Sequence, residues 1–352
     1  MQFGSFMEFH RREGGTQADA FREAFDHIAL AEELGLDAVW LAESHFNPAR
    51  SVLSAPHAIA SAIAARTKRL RVGTAVSVLP LGNPLRMAEE AAVIDHISEG
   101  RFEFGVGRSG LPGSYEGYNI PYGESRERFY EYLDIIMTAW QEERFCYEGD
   151  FYTYNDVCLV PKPYQKPHPP IRIAATTSDT FPVIGEMGHA VFVGVRGLSL
   201  DAVGEQVDSY RTAWNKAGHK GSIDVSLRVP VYVGETEEEA LTVPEESFMR
   251  QFRRLGGQLS ASVTRAGTDP GEERAERGAQ LATLDWERDV IGQKSAVGTP
   301  AMVIDPLRVM KKTLSLTGVV AEFNAGELIP EDRIASSLRL FCEEVMPAFT
   351  ED

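Results

Sequence analysis

Phe102-Glu103-Phe104-Gly105-Val106-Gly107-Arg108-Ser109-Gly110 is a short apolar strand that runs straight into a GxGxxG motif. In a dinucleotide-binding unit a helix opens at the last glycine and the motif follows the leading strand of the domain. Here Pro112, Gly113, Gly117 and Pro121 come next, and three strand-like runs precede it. The glycines therefore read as a loop that can approach a ligand closely, with Arg108 aimed into a site at the end of the strand. A doubly wound open sheet loses its best evidence, and a closed (β/α)8 barrel becomes the expected fold.

The rhythm on either side agrees. Residues 2–7 read as the first strand. Thr16 then caps a helix carrying Phe21, Ala24, Ile28 and Ala31, and Gly35 ends it. Strands are expected at 37–44, 70–78 and 102–108, with a helix over 56–66 and another capped by Asn83, opened by Pro84 and closed by Gly100. After an irregular Gly/Pro-rich loop come a helix over 124–143 and a hairpin over 145–160 around Gly149-Asp150. Strands at 171–176, 190–194, 224–234 and 319–324 complete eight, and a helix over 330–345 follows the last. Residues 235–300 break the pattern. Thr236 and Glu239 form a capping box, Glu237 and Glu238 suit a first helical turn, and 266–278 is polar and glycine-containing. The chain is expected to be one barrel domain over 1–352, with 235–300 inserted before the last strand as a lid.

Composition narrows the partners. The 352 residues carry 35 Lys plus Arg against 52 Asp plus Glu, a net charge of −17. Such a surface repels nucleic acid and anionic membranes, and the basic runs at 66–71 and 250–254 read as solvated helix faces or ends. No apolar run approaches the roughly 18 residues of a membrane span. The first fifteen residues, with Glu8, Arg11, Arg12 and Glu13, do not read as a signal peptide. Cys146, Cys158 and Cys342 match no metal spacing, which suits a cytoplasmic protein, and a Cys146–Cys158 bridge across the hairpin stays open.

Chemistry on such a barrel gathers at the C-terminal strand ends. Glu43, Ser44 and His45 follow the second strand and Arg108 the fourth, Thr176, Thr177 and Thr180 follow the fifth, and Arg126 starts a helix. Two guanidinium forks and hydroxyls beside helix N-termini suit a phosphate. Glu43 and His45 can pair on one face, but no third ligand lies near, so no metal is expected.

These residues stand in stretches that resemble the bacterial luciferase-like flavin-dependent monooxygenases. The stretches are MQFGSF (1–6), DAVWLAESHF (37–46), LRVGTAVSVLP (70–80), EGRFEFGVGRS (99–109), VGTP (297–300) and EEVMPAF (343–349). The resemblance implies reduced FMN bound at the barrel mouth, its phosphate held by Arg108, Arg126, Thr177 and Thr180 beside Thr176. Ala75 and Val76 would lie against the isoalloxazine through a cis peptide bond. Gly107 stands where luciferases have a reactive cysteine, and Ser44 where they have a histidine base. Serine is no base near neutral pH, so Ser44 as hydrogen-bonding group and His45 become the candidate catalytic residues. The implied reaction consumes dioxygen and a small organic substrate, with reduced flavin delivered by a separate flavin reductase. A largely apolar pocket lined by residues 6–10 would hold the substrate. The alternatives are a deazaflavin-dependent oxidoreductase on the same barrel and a non-catalytic flavin-binding protein. Family members commonly pair through the helix at 84–98, so a homodimer is expected.

Overall fold

The computed structural model describes residues 1–195, 197–266 and 271–350. Eight parallel strands close on themselves: β1 (Gln2–Met7), β2 (Ala38–Leu41), β3 (Arg71–Thr74), β4 (Phe102–Gly107), β5 (Ile171–Ala174), β6 (Ala190–Gly194), β7 (Val225–Val233) and β8 (Gly318–Glu322). Each pairs with its successor, and β8 returns to β1 with Gly318 opposite Gln2. Around them pack α1 (Gln17–Leu34), α2 (Pro56–Arg66), α3 (Pro84–Ile97), α4 (Ser125–Gln141), α5 (Thr180–Met187), α6 (Leu200–Ala217), α7 (Pro300–Leu314) and α8 (Glu331–Leu340).

The strands are nearly continuous apolar runs because both faces are covered. Phe3 and Met7 of β1 pack outward into the layer beneath the helices, whereas Phe6 joins Trp40, Phe192 and Val320 inside the barrel. Below that interior layer Arg172 is clamped by Asp224 at 2.7 Å and Glu103 at 3.4 Å, with the rings of Trp40 and Phe192 against its guanidinium. The expected caps form. Thr16 and Asp19 make a reciprocal capping box, Gly35 is left-handed at φ 85°, and Asn83 accepts from the Arg86 N–H.

The GxG glycines serve the sheet itself. A Cβ on Gly105 would stand 1.7 Å from the Thr74 carbonyl oxygen, and one on Gly107 would stand 2.7 Å from a Val76 methyl. Only glycine lets β4 come this close to the segment after β3. The strand expected over 70–78 is interrupted there: β3 ends at Thr74, the Ala75–Val76 bond is cis, and Ser77–Val78 pairs separately with β4. Likewise β2 stops at Leu41 rather than Ser44, which frees Glu43 to turn into the barrel mouth. The loop expected to be irregular after Gly110 holds a six-residue helix, Pro112–Gly117, with Pro112 in its first turn. This does not revive a dinucleotide fold, because the sheet is closed.

The insertion folds as helices Glu237–Thr242, Glu245–Ala266 and Gly271–Ala282, followed by a short strand, Ala296–Gly298, that extends β7 in parallel. The polar stretch expected at 266–278 is thus helical from Gly271 onward, and 267–270 lie outside the described residues. Cys146 and Cys158 are exposed free thiols, so the bridge left open above is not formed. Among the described residues no helix is long and apolar enough to cross a membrane, and no cluster of side chains suits a metal ion.

Candidate active site

A cavity of about 260 Å³, open to solvent, occupies the C-terminal mouth of the barrel. It has a wall, two chemically different ends and a roof from the insertion.

The wall is the Ala75–Val76 segment, seated on Gly105 and Gly107 as described. One end is built by β4, β5 and the starts of α4 and α5. Arg108 donates to Ser125 Oγ at 3.2 Å, Thr177 and Thr180 share a hydroxyl contact of 2.9 Å, and Arg126 pairs with Asp179 at 2.5 Å. Thr176 and Thr177 line the cavity itself, whereas Arg108, Arg126 and Thr180 do not; Thr180 and Asp179 connect to it through Thr177. Burial works against Asp179 ionising, but hydrogen bonds from Thr177 and Arg126 hold its carboxyl below the usual range. The insertion adds Arg277, which donates to the Thr176 carbonyl, and Lys294, whose ammonium reaches the Leu198 carbonyl at 2.7 Å; both line the cavity.

Glu43, Ser44 and His45 sit at the end of β2 with unequal roles. Glu43 lines the cavity. Its Oε1 accepts from His45 Nε2 at 2.7 Å and its Oε2 from the Val78 N–H at 2.9 Å. Since Nε2 donates, Nδ1 of the neutral ring accepts the Tyr118 hydroxyl at 3.2 Å. Both His45 nitrogens are spent, so the imidazole holds Glu43 in place rather than facing the cavity. Ser44 is buried and its hydroxyl has no partner.

The other end lies across the mouth, at β1, β7 and β8, and of residues 6–10 only Phe6 and Glu8 reach it; the whole stretch instead lines a second, largely apolar cavity beside it, with Glu8 between the two. With Phe6 at this end are two ion pairs that both line the mouth cavity, Glu8 with Arg50 and Glu322 with Arg228. Burial would push Glu8 up, yet the charges of Arg50, Arg228 and His10 and the Arg50 hydrogen bonds hold it far below the usual carboxylate range. The roof is the apolar face of Glu245–Ala266, with Phe252, Leu255 and Leu259 toward the cavity and Gln251 bonded to Glu322 at 3.4 Å.

A family model for luciferase-like monooxygenases matches residues 1–316. The chain belongs to this family. The oxygenase component of the flavin-dependent trigonelline monooxygenase of Acinetobacter baylyi is 25% identical across all of this chain and 96% of its own length. Monooxygenase RslO1 of Streptomyces bottropensis shares 27% identity and superposes with a TM-score of 0.80 over 99% of this chain and 100% of its own. The oxygenating constituent of 3,6-diketocamphane monooxygenase from Pseudomonas putida, solved with FMN, superposes with a TM-score of 0.81 at 19% identity, over 99% of this chain and 98% of its own.

For a luciferase-like monooxygenase the first end has the right donors. Two guanidiniums, a bonded threonine pair of which Thr177 is buried, and the start of the eight-residue α5 fit a phosphate monoester, and the Ala75–Val76 wall fits a planar ring. The residues that sequence reasoning passed over are Glu43 as the cavity-lining member of its triplet, Arg277 and Lys294 of the insertion, and the Glu8, Arg50, Arg228 and Glu322 set. Alternation along β1 and β7, which turns Phe6, Glu8 and Arg228 inward, is the signal that places the last group.

Proposed function

We propose that this chain is the oxygenase component of a two-component flavin-dependent monooxygenase. Reduced FMN, delivered by a separate flavin reductase, supplies the electrons that activate dioxygen for transfer of an oxygen atom to a small organic substrate. The observation that carries this reading is the clustering of Thr180, Arg126 and Arg108 around Asp179 and the cavity-lining Thr177, in a cavity that Ala75 and Val76 also line.

Each residue then has a task. Arg108 and Arg126 neutralise the phosphate dianion while Thr176, Thr177 and Thr180 orient it. Gly107 leaves room for Val76 to lie flat beneath the ring. Ser44, with its unspent buried hydroxyl, donates a hydrogen bond toward the reacting group. His45 positions Glu43 against the cavity. Residues 235–300 act as the lid of a single barrel unit and exclude water from the mouth. The protein pairs as a homodimer through α3, where Val93 and Ile97 are exposed, and light scattering reads that pairing directly.

The test is comparative binding under anaerobic conditions followed by aeration. FMN is expected to bind at least tenfold more tightly than riboflavin, since hydrogen bonds to charged groups contribute about 1.5–3 kcal/mol. Equal binding of the two sinks the phosphate site. Binding of the deazaflavin F420 with no binding of FMN selects the hydride-transfer alternative. Tight FMN binding with no oxygen incorporated from labelled dioxygen across a broad substrate panel selects the flavin-binding protein.

A further inference from the structure

We propose that the substrate of this site presents a hydrogen-bond acceptor and a donor side by side on one edge, as a lactam does, and that Arg228 and Glu8 recognise them. The assignment rests on reading the cavity as the place where substrate meets the flavin, and it names the polar group that the far end of that cavity accepts.

The first observation is Glu8. Its side chain is 1% exposed and it lines the cavity. Arg50 occupies Oε1 through both Nε and Nη2, while Oε2 is buried with no hydrogen-bond partner. The nearest polar neighbour, His10 Nε2, lies 3.9 Å away. That ring donates through Nδ1 to the Arg50 carbonyl at 2.7 Å, and its Nε2 lies beyond hydrogen-bond reach of the carboxylate. A buried, ionised oxygen without a donor costs more than an ordinary unmade hydrogen bond. A ligand N–H or O–H removes that cost.

The second observation is Arg228. It is held rigidly, with Nε and Nη2 on Glu322 Oε2 at 3.0 and 2.8 Å and the guanidinium stacked on Phe6 at 3.4 Å from the ring centre. Among the described residues its Nη1 has no recorded partner, and the residue lines the same cavity. A guanidinium fixed on two sides and open on the third is a built acceptor site for a carbonyl oxygen.

Stability does not explain the arrangement. Two buried ion pairs at this end of the cavity are no better for folding than well-packed hydrophobic residues, and often worse. An aliphatic substrate would gain nothing from them. Phe6, Phe192, Val195 and Val320 around the charges, with Leu255 overhead, accept the apolar body of a molecule whose polar edge reaches Glu8 and Arg228. The flavin's own pyrimidine edge also carries acceptors and an N–H. The phosphate donors on β4 and β5 and the wall after β3 draw the flavin to the opposite side of the mouth from β1 and β7, and the experiment separates the two sources.

The experiment measures binding to the FMN-loaded protein by calorimetry for four molecules on one skeleton. They are dihydroquinolinone with both groups, its N-methyl derivative with the acceptor only, tetrahydroquinoline with the donor only, and tetralin with neither. The lactam is expected to bind about tenfold more tightly than either single-group analogue and about a hundredfold more tightly than tetralin, tenfold being roughly 1.4 kcal/mol. Glu8→Gln should erase the preference for the donor. Arg228→Gln combined with Glu322→Gln, which leaves no unpaired charge behind, should erase the preference for the acceptor. FMN affinity should stay within twofold in both variants. Equal binding of all four molecules, no binding of any at millimolar concentration, or preferences that survive in the variants would each overturn the proposal. A loss of FMN affinity in the variants matching the loss of preference assigns the pair to the flavin and overturns it too. Failure of the wild type to bind FMN at all, seen before any probe is added, fails the cofactor reading instead.

Discussion

The two ends of the cavity solve opposite electrostatic problems. At the β4–β5 end, Arg126 and Asp179 are 37% and 48% exposed, so their charges stay hydrated and exchange partners at little cost. At the β1–β7–β8 end, Glu8 and Glu322 are 1% and 5% exposed and each is paired directly with one arginine. The first arrangement suits an anion that arrives and leaves with a diffusing cofactor. The second is a fixed template, complete before anything binds, and therefore selective.

Breaking one pair at each end tests the contrast most strongly. Arg50→Ala leaves Glu8 charged and buried, and should lower unfolding free energy by about 3–5 kcal/mol in urea titrations. Arg126→Ala removes an exposed partner and should cost less than about 1 kcal/mol. Comparable losses would mean that the ends do not differ as described. Function should divide the other way. Arg108→Ala is expected to weaken FMN binding by about 1.5–3 kcal/mol, measured by fluorescence quenching, while riboflavin binding is unchanged.

Acid sharpens the same comparison. Arg50, Arg228 and His10 depress Glu8 despite its burial, so the folded protein keeps it ionised where the unfolded chain, near its ordinary value of 4.5, takes up a proton. The unfolded state then binds more protons, and stability falls as pH falls. The contribution of Glu8 is complete above about pH 4.5 and drains away below it, by roughly 2 kcal/mol at about pH 3. Glu8→Gln should flatten that part of the stability profile. An unchanged slope would show that Glu8 is not held ionised by its neighbours.

How much of this was legible in the sequence follows from the same division. The barrel was, because eight apolar runs alternate with capped helices and local rules suffice for each. The neighbourhood of Arg108, Arg126, Thr177 and Thr180 was too, because they lie just past strand ends or at helix starts, where chain position alone implies the barrel mouth; that they hold a phosphate is what we propose. The far end was not. Arg50 lies on a loop, Glu8 one residue past β1 and Arg228 inside β7, and their pairing with Glu8 and Glu322 spans 42 and 94 residues. Alternation along β1 and β7 turns Glu8 and Arg228 inward, but it does not say which partners they meet. His45 misled for a related reason: the sequence places it beside Glu43 but cannot show that Tyr118, 73 residues on, occupies its second nitrogen. The insertion hid Arg277 and Lys294 because its helical register says nothing about which cation meets the strand ends.

Asp179 offers the smallest and most particular test. Its carboxylate sits at the start of α5, at 2.5 Å from Arg126, and accepts from the same threonine cluster that the phosphate would use. If the proposed phosphate site is right, Asp179 competes with the phosphate for Arg126. Asp179→Asn removes that competing charge while keeping the side chain's shape. Because the pair is exposed and screened, the gain should be modest, a two- to fivefold tighter FMN affinity or less than about 1 kcal/mol, and it should shrink as salt is raised. Weaker FMN binding in this variant would mean that Asp179 orients Arg126 for the phosphate instead of competing with it, and the first end would then be preorganised in the manner of the second.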